Sequence, residues 1–217
     1  PDELRRAFTS RTKAIVLNSP NNPTGKVFTR TELESIAALC REHDALALTD
    51  EIYEHIVYDG AVHIPIATLP GMRERSVLVN SMSKTYSVTG WRLAYAVAPP
   101  SLTAAVRKMH DFLTVGAPHP LQWAGVRALN LPEDYYRNLA SAYAERRDLL
   151  GNALRSAGLP IFVPEGAYYI LAEIGALGFG DDVEGDVAGA HEHRFAEGDE
   201  LGRRDVSTAA RGRGHQR

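Results

Sequence analysis

Short apolar runs alternate with helical stretches along the first hundred residues. Residues 13–18, with Ala14, Ile15, Val16 and Leu17 in succession, read as a buried strand. The turn-rich Ser19-Pro20-Asn21-Asn22-Pro23-Thr24-Gly25 closes it. Thr29 with Glu32 then forms a capping box, and Leu33, Ile36, Ala37 and Cys40 share one helical face. Residues 45–50 read as a second strand that ends on the carboxylate of Asp50; residues 76–80 and 93–98 read as a third and fourth. Continuous apolar strands separated by a helix predict an α/β fold with a largely parallel sheet.

Residues 101–157 read as mostly helical. The clearest piece spans about 132–157, with Tyr136, Leu139, Tyr143, Leu150 and Leu154 on an apolar stripe, Gly158 as the stop and Pro160 beyond it. Residues 161–163 and 168–172 then read as strands of a second, smaller unit. Boundaries therefore fall near residues 130 and 177. From about Gly178 the pattern is lost, since neither a helical nor a strand period fits the remaining residues. Large apolar side chains are there reduced to Phe179, Val183, Val187, Phe195, Leu201 and Val206. Such a segment buries too little to offset its ordering entropy, so residues 178–217 read as an aberrant, disordered tail.

Composition narrows the class. A chain of 217 residues with 44% hydrophobic and 24% charged residues is long enough for a real core, which excludes a disulfide scaffold. No run approaches the length of about 18 apolar residues that a membrane helix needs. The charged opening Pro1-Asp2-Glu3-Leu4-Arg5-Arg6 is not a signal peptide, and the lone Cys40 suits a reducing cytoplasm. A net charge of −3 speaks against a dedicated nucleic-acid binder. Lysines are scarce: Lys13, Lys26, Lys84 and Lys108 are the full set.

Polar residues gather where the apolar strands end, and in an open α/β sheet the carboxyl ends of the strands are where ligands bind. Asn22 follows the first strand, Asp50 and Tyr53 the second, and Ser81, Ser83 and Lys84 the third, with Arg92 further on. Two hydroxyls and a guanidinium suit a phosphate. Lys84 suits a Schiff base with an aldehyde. Asp50 suits a protonated pyridine nitrogen, and Tyr53 with Asn22 suits a phenolate oxygen. Aldehyde, phosphate, ring nitrogen and phenolate are the four handles of pyridoxal 5'-phosphate.

The order Asn22-Pro23-Thr24-Gly25, then Asp50-x-x-Tyr53, then Ser81-x-Ser83-Lys84 with Arg92 eight positions on, resembles the class I/II aminotransferases of pyridoxal phosphate fold type I. The likeness covers residues from about 13 to 98. Segments Pro118-His119-Pro120-Leu121-Gln122 and Glu165-Gly166-Ala167-Tyr168-Tyr169 resemble the kynurenine–oxoglutarate and methionine aminotransferase branch. The resemblance implies that Lys84 forms the Schiff base, Asp50 pairs with the pyridinium, Tyr53 and Asn22 hold the ring oxygen, and Ser81, Ser83 and Arg92 hold the phosphate. It also implies a cis peptide before Pro23 and a homodimer that moves an amino group from an α-amino acid to a 2-oxo acid. In those terms residues 1–130 are part of the large cofactor domain, and residues 131–177 are a long helix and the start of the small C-terminal domain.

Family features expected upstream of Pro1 and downstream of about Asp182 are missing, among them an arginine for the substrate carboxylate. An inactive fragment, the aminotransferase-like sensor domain of a transcription regulator and a carbon–sulfur lyase therefore stay open as alternatives. A shifted reading frame in GC-rich coding DNA would give such a tail. Other notable residues have plainer readings. Glu51 and Glu54 read as solvated or structural, Trp91 and Trp123 as core, Tyr135, Tyr136 and Tyr143 as packing residues, and Cys40 as inert. His191-Glu192-His193 reads as chance spacing, so no metal site is expected.

Overall fold

A computed structural model describes residues 2–178. Its central sheet has the order β1-β2-β3-β4, formed by Ala14–Asn18, Leu46–Asp50, Ser76–Ser81 and Ala94–Val97. The first three strands run parallel, with Asn18 level with Asp50 and Asp50 level with Val79; β4 returns antiparallel to β3. All four strands fall where the apolar runs predicted them, within one or two residues at each end.

Helix α1 (Asp2–Ala7) precedes the sheet and α2 (Arg30–Glu42) connects β1 to β2. Thr29 caps α2: its hydroxyl accepts from the Glu32 amide while the Glu32 carboxylate accepts from the Thr29 amide. Leu33, Ile36, Ala37, Leu39 and Cys40 are then buried against Leu17, Ala45 and Ala47 of the sheet, with Ile66, Leu69 and Met72 completing the cluster. Each fully buried Leu or Ile there contributes about 1.5–3 kcal/mol. Cys40 has no exposed surface and burial pushes its thiol up, so it is inert as expected.

Among the described residues the opposite face of the sheet is only partly covered, with Val77 buried on it. Val16 is 74% exposed, and Val79, Ala94 and Ala96 on the same face are exposed too. Parallel sheets are ordinarily covered on both faces. Helix α3 (Met82–Thr85) follows β3 directly, and α4 (Pro100–Leu113) and α5 (His119–Ala128) follow β4. Helix α4 buries none of its residues and leaves Phe112 85% exposed. Trp91 and Trp123 are exposed rather than core; α5 instead turns Gly125 toward Leu93 and Met82.

The long helix α6 (Glu133–Ser156) matches its predicted span. Its stripe is only partly used: Leu139 and Tyr143 pack on the cluster around Tyr53, while Leu150 is exposed. The strands expected at residues 161–163 and 168–172 shrink to β5 (Ile161–Phe162) and β6 (Leu171–Ala172), an antiparallel pair. Residues 168 and 169 are irregular, and their tyrosines make side-chain contacts at the site below.

The chain divides into Pro1–Glu173 and Ile174–Arg217. In the second part a 3-10 turn at Gly175–Leu177 ends on Gly178 at φ +82°. The predicted tail beyond Gly178, with His191-Glu192-His193, lies outside the described residues. Among the described residues no helix is long and apolar enough to cross a membrane.

Candidate active site

The parallel strands deliver their last residues to one edge of the sheet. At the end of β3, Ser81 caps α3: its Oγ accepts from the Ser83 amide at 2.9 Å and lies 2.6 Å from Ser83 Oγ. The cap and first turn of the short helix thus bring Ser81, Ser83 and Lys84 together within four residues. Leu93 ties the next segment to this turn, since its carbonyl accepts from the Met82 amide and from Ser81 Oγ. Arg92, beside it, sits in the left-handed region at φ +53° and is exposed, with its guanidinium on the Thr89 carbonyl at 3.1 Å. Thr89 Oγ1 in turn donates to the Ser83 carbonyl. Ser81, Ser83 and Arg92 are therefore linked through Thr89 into one hydrogen-bonded neighbourhood, with Lys84 next to Ser83 in the chain.

Asp50 ends β2 with its side chain exposed and accepts from the Ile52 amide at 3.2 Å. Asn18 bridges β1 to it: Asn18 Nδ2 donates to the Asp50 carbonyl, and Asn18 Oδ1 accepts from the Asn22 amide at 2.7 Å. Asn22 is exposed on a turn whose peptide bond to Pro23 is cis, as the resemblance implied; Ser19–Pro20 is cis as well. That turn rests on a distant segment. The Gly25 carbonyl accepts from the amides of Glu165 and Gly166, and the Glu165 carboxylate accepts from the Val27 amide.

Tyr53 is 2% exposed, and its hydroxyl lies 2.8 Å from that of Tyr169. Both neighbouring tyrosines meet its ring edge-on, Tyr168 at 5.2 Å and Tyr169 at 5.8 Å between centroids. Tyr168 also stacks on Tyr143 and carries the Lys84 ammonium 5.3 Å above its ring centre. Burial, with the Tyr169 hydrogen bond second, pushes the Tyr53 phenol well up. Lys84 and Tyr53 thus share an aromatic shelf that Tyr143, Tyr168 and Tyr169 supply from α6 and its sequel. Sequence reasoning quoted Tyr168 and Tyr169 as family-like and read Tyr143 as packing. It gave none of them a place beside Lys84, because no periodicity links residue 168 to residue 84.

Behind the same strand ends lies a buried acid–imidazole group. Glu51 is 2% exposed; its carboxylate accepts from Thr49 Oγ1 at 2.8 Å and meets His63 Nε2 at 2.7 Å. One ligand-type atom each of Glu51, Glu54 and His63 lies within 4.8 Å of the others. Burial pushes the Glu54 carboxyl up, against a smaller opposing pull from His63. Glu51, read as solvated or structural, is buried, because Asp50 faces out at the end of β2 and the next residue faces in; Glu54 is half-buried.

The donor set fits pyridoxal phosphate in kind: paired hydroxyls with a guanidinium nearby, an amine and an exposed carboxylate, all at the carboxyl ends of parallel strands. Comparison with known proteins agrees. The family model for aminotransferase class I and II matches residues 1–197. Kynurenine–oxoglutarate transaminase 3 of Mus musculus is 42% identical over 185 residues, which cover 82% of this chain and 41% of that protein. Among solved structures, N-succinyldiaminopimelate aminotransferase from Mycobacterium tuberculosis superposes with a TM-score of 0.84 at 37% identity, covering 86% of this chain and 49% of its own. Escherichia coli YbdL, described with a methionine aminotransferase function, gives 0.82 at 34% identity over 88% of this chain and 50% of that one. The chain spans about two fifths to one half of the length of these relatives.

Proposed function

The chain belongs to the class I and II aminotransferases, in the branch of the kynurenine–oxoglutarate transaminases, with part of the fold type I architecture; from that premise we propose that it carries the lysine half of a pyridoxal phosphate site. The reaction would move an amino group from an α-amino acid to a 2-oxo acid. The observation that carries this reading is the Ser81–Ser83 hydroxyl pair with Lys84 next in the chain, two residues beyond the Val79 position that is level with Asp50 at the end of β2.

When bound, pyridoxal phosphate supplies an aldehyde and a ring that accepts electrons. Ser81 and Ser83 would offer hydroxyls to its phosphate, and Arg92 would add charge. Asp50 would hold a protonated ring nitrogen; a hydrogen bond to a charged group is worth about 1.5–3 kcal/mol. Its exposed carboxylate has acceptor capacity beyond the Ile52 amide. Tyr53 and Asn22 serve the ring oxygen. The Tyr53 hydroxyl is held at 2.8 Å by that of Tyr169, which fixes where it can meet that oxygen. The amine of Lys84 is the base placed to take the α-proton of the substrate, a role that typically contributes about 10²–10⁴-fold. Residues 1–130 are then large-domain and residues 131–177 lead into the small domain. We place the whole protein in the cytoplasm as a homodimer acting on small amino and oxo acids, with no nucleic-acid partner.

The test is a visible absorption spectrum of the purified chain mixed with pyridoxal phosphate, beside Lys84→Ala. A band that vanishes in Lys84→Ala and shifts on adding an α-amino acid is the expected result. A soluble sample with no Lys84-dependent band would overturn the reading for this chain.

A further inference from the structure

The acid–imidazole group behind the sheet reaches the candidate site through one buried amide. Asn80 is 2% exposed and precedes Ser81. Its Oδ1 accepts from the Ser81 amide at 2.7 Å, and its Nδ2 donates to Glu54 Oε1 in a short hydrogen bond. The orientation is forced. A backbone N–H only donates, so Oδ1 must face Ser81, and Nδ2 must then find an acceptor on its other side. Glu54 is that acceptor.

Glu54 is itself held from several sides. Its amide donates to the Glu51 carbonyl, its carboxylate lies beside those of Glu51 and the His63 ring, and His55 Nε2 stands 3.5 Å away. The Glu51 amide donates to the Val79 carbonyl, so the turn after β2 grips the end of β3 at two places. Asp50 sits at the head of that turn and Ser81 at the end of that strand.

We propose that Glu54 is a positioning residue: through Asn80 it fixes the backbone of Ser81, and with it the Ser81–Ser83–Lys84 turn, relative to Asp50. Removing the acceptor leaves the buried Asn80 amide unpartnered, which costs more than the bond itself is worth. The amide then reorients and Ser81 N–H loses its acceptor. The inference rests on the proposed cofactor site only for its binding consequence; the backbone claim stands by itself.

Two measurements test it, with Glu54→Leu to remove the acceptor and Glu54→Gln to keep one. Asn80→Ala breaks the bridge from the other end should Glu54→Leu fail to fold. The first measurement is amide hydrogen exchange on the chain without added ligand. In Glu54→Leu or Asn80→Ala, exchange at Ser81 and the following turn should quicken about tenfold, with β1 and α2 unchanged and Glu54→Gln near the parent. Uniform quickening across β1, α2 and the turn, or no recovery in Glu54→Gln, would overturn the proposal. The second compares equilibrium binding of pyridoxal phosphate and of pyridoxal, which lacks the phosphate. The same variants should lose about tenfold in affinity for the former and a smaller factor for the latter, which meets the turn through Lys84 but not through the serine pair. Equal losses for both would overturn the link from Glu54 to the serine pair. If the parent chain itself fails to distinguish the two compounds, the phosphate role of Ser81 and Ser83 fails, while the exchange result still decides the positioning claim.

Discussion

The hydroxyl of Tyr53 meets that of Tyr169, 116 positions further along the chain, at 2.8 Å. This contact joins the turn after β2 to the segment leading into β6, and it buries one of the residues read as serving the cofactor. A single neutral hydrogen bond of this kind is worth about 0.5–1.5 kcal/mol. Tyr169→Phe and Tyr53→Phe should each lower stability by about 1 kcal/mol, and the double variant should lose less than the sum. Urea denaturation of the four chains checks this. Strict additivity would mean that the two hydroxyls do not act on each other.

Gly25 carries the second long-range tie. It lies at φ +69°, and a Cβ placed there would sit 2.2 Å from Pro164 Cβ and 2.8 Å from the Gly166 carbonyl oxygen. Both the left-handed backbone and the crowding oppose any side chain. Gly25→Ala should cost about 1–2 kcal/mol for the conformation and about 1–3 kcal/mol more for overpacking. Thermal unfolding checks the total. Gly60, at φ +81° with open space around it, is the control: Gly60→Ala should show the backbone cost without the packing cost.

Sequence reasoning reached furthest where short-range physics decides. Strand β2 needed only the run Ala45 to Thr49, and α2 needed only Thr29, Glu32 and its apolar face. The serine pair was legible because Ser81, Ser83 and Lys84 are neighbours in the chain as well as in space. What escaped notice depends on contacts between distant residues. Tyr168 sits under Lys84 because α6 brings it there, and His63 meets Glu51 across a loop without periodicity. The partly open sheet face could not be read from strand composition either. Val16 and Val79 look buried in a parallel strand, and only the incomplete covering layer among the described residues exposes them.

The capping box on α2 makes an acid-side prediction. Glu32 is held below the usual carboxylate range, first by the Lys26 ammonium and next by the Thr29 amide. A carboxylate with a depressed folded-state pKa contributes stability above the unfolded value of 4.5 and loses it as pH falls through its own lower value. Glu32→Gln should therefore cost stability at neutral pH and progressively less below pH 4.5. Thr29→Ala should cost about 1 kcal/mol at neutral pH through loss of the cap. Chemical denaturation at several pH values measures both. A Glu32→Gln deficit that stayed constant into strong acid would show that its charge plays no part.

Base should unfold the protein through its tyrosines. Burial, as the leading cause, raises the phenols of Tyr53, Tyr58, Tyr86, Tyr95, Tyr135, Tyr143 and Tyr169, with Tyr95 pushed up to about 12. In the unfolded chain the same groups ionise near 10. Between those values the unfolded state sheds protons that the folded state keeps, so each phenol's contribution is whole below pH 10 and drains away as pH rises toward its folded value. Glu54 and Glu51 add to the shift at Tyr95 by repelling a phenolate. Titration should then show the ultraviolet phenolate band rising together with the loss of the circular dichroism signal, in one cooperative step above pH 10. Tyr95→Phe should flatten the fall in stability between pH 10 and about 12. Phenols that titrate one by one near pH 10, with the fold intact, would show that the shelf around Lys84 is open to water and that burial does not govern its tyrosines.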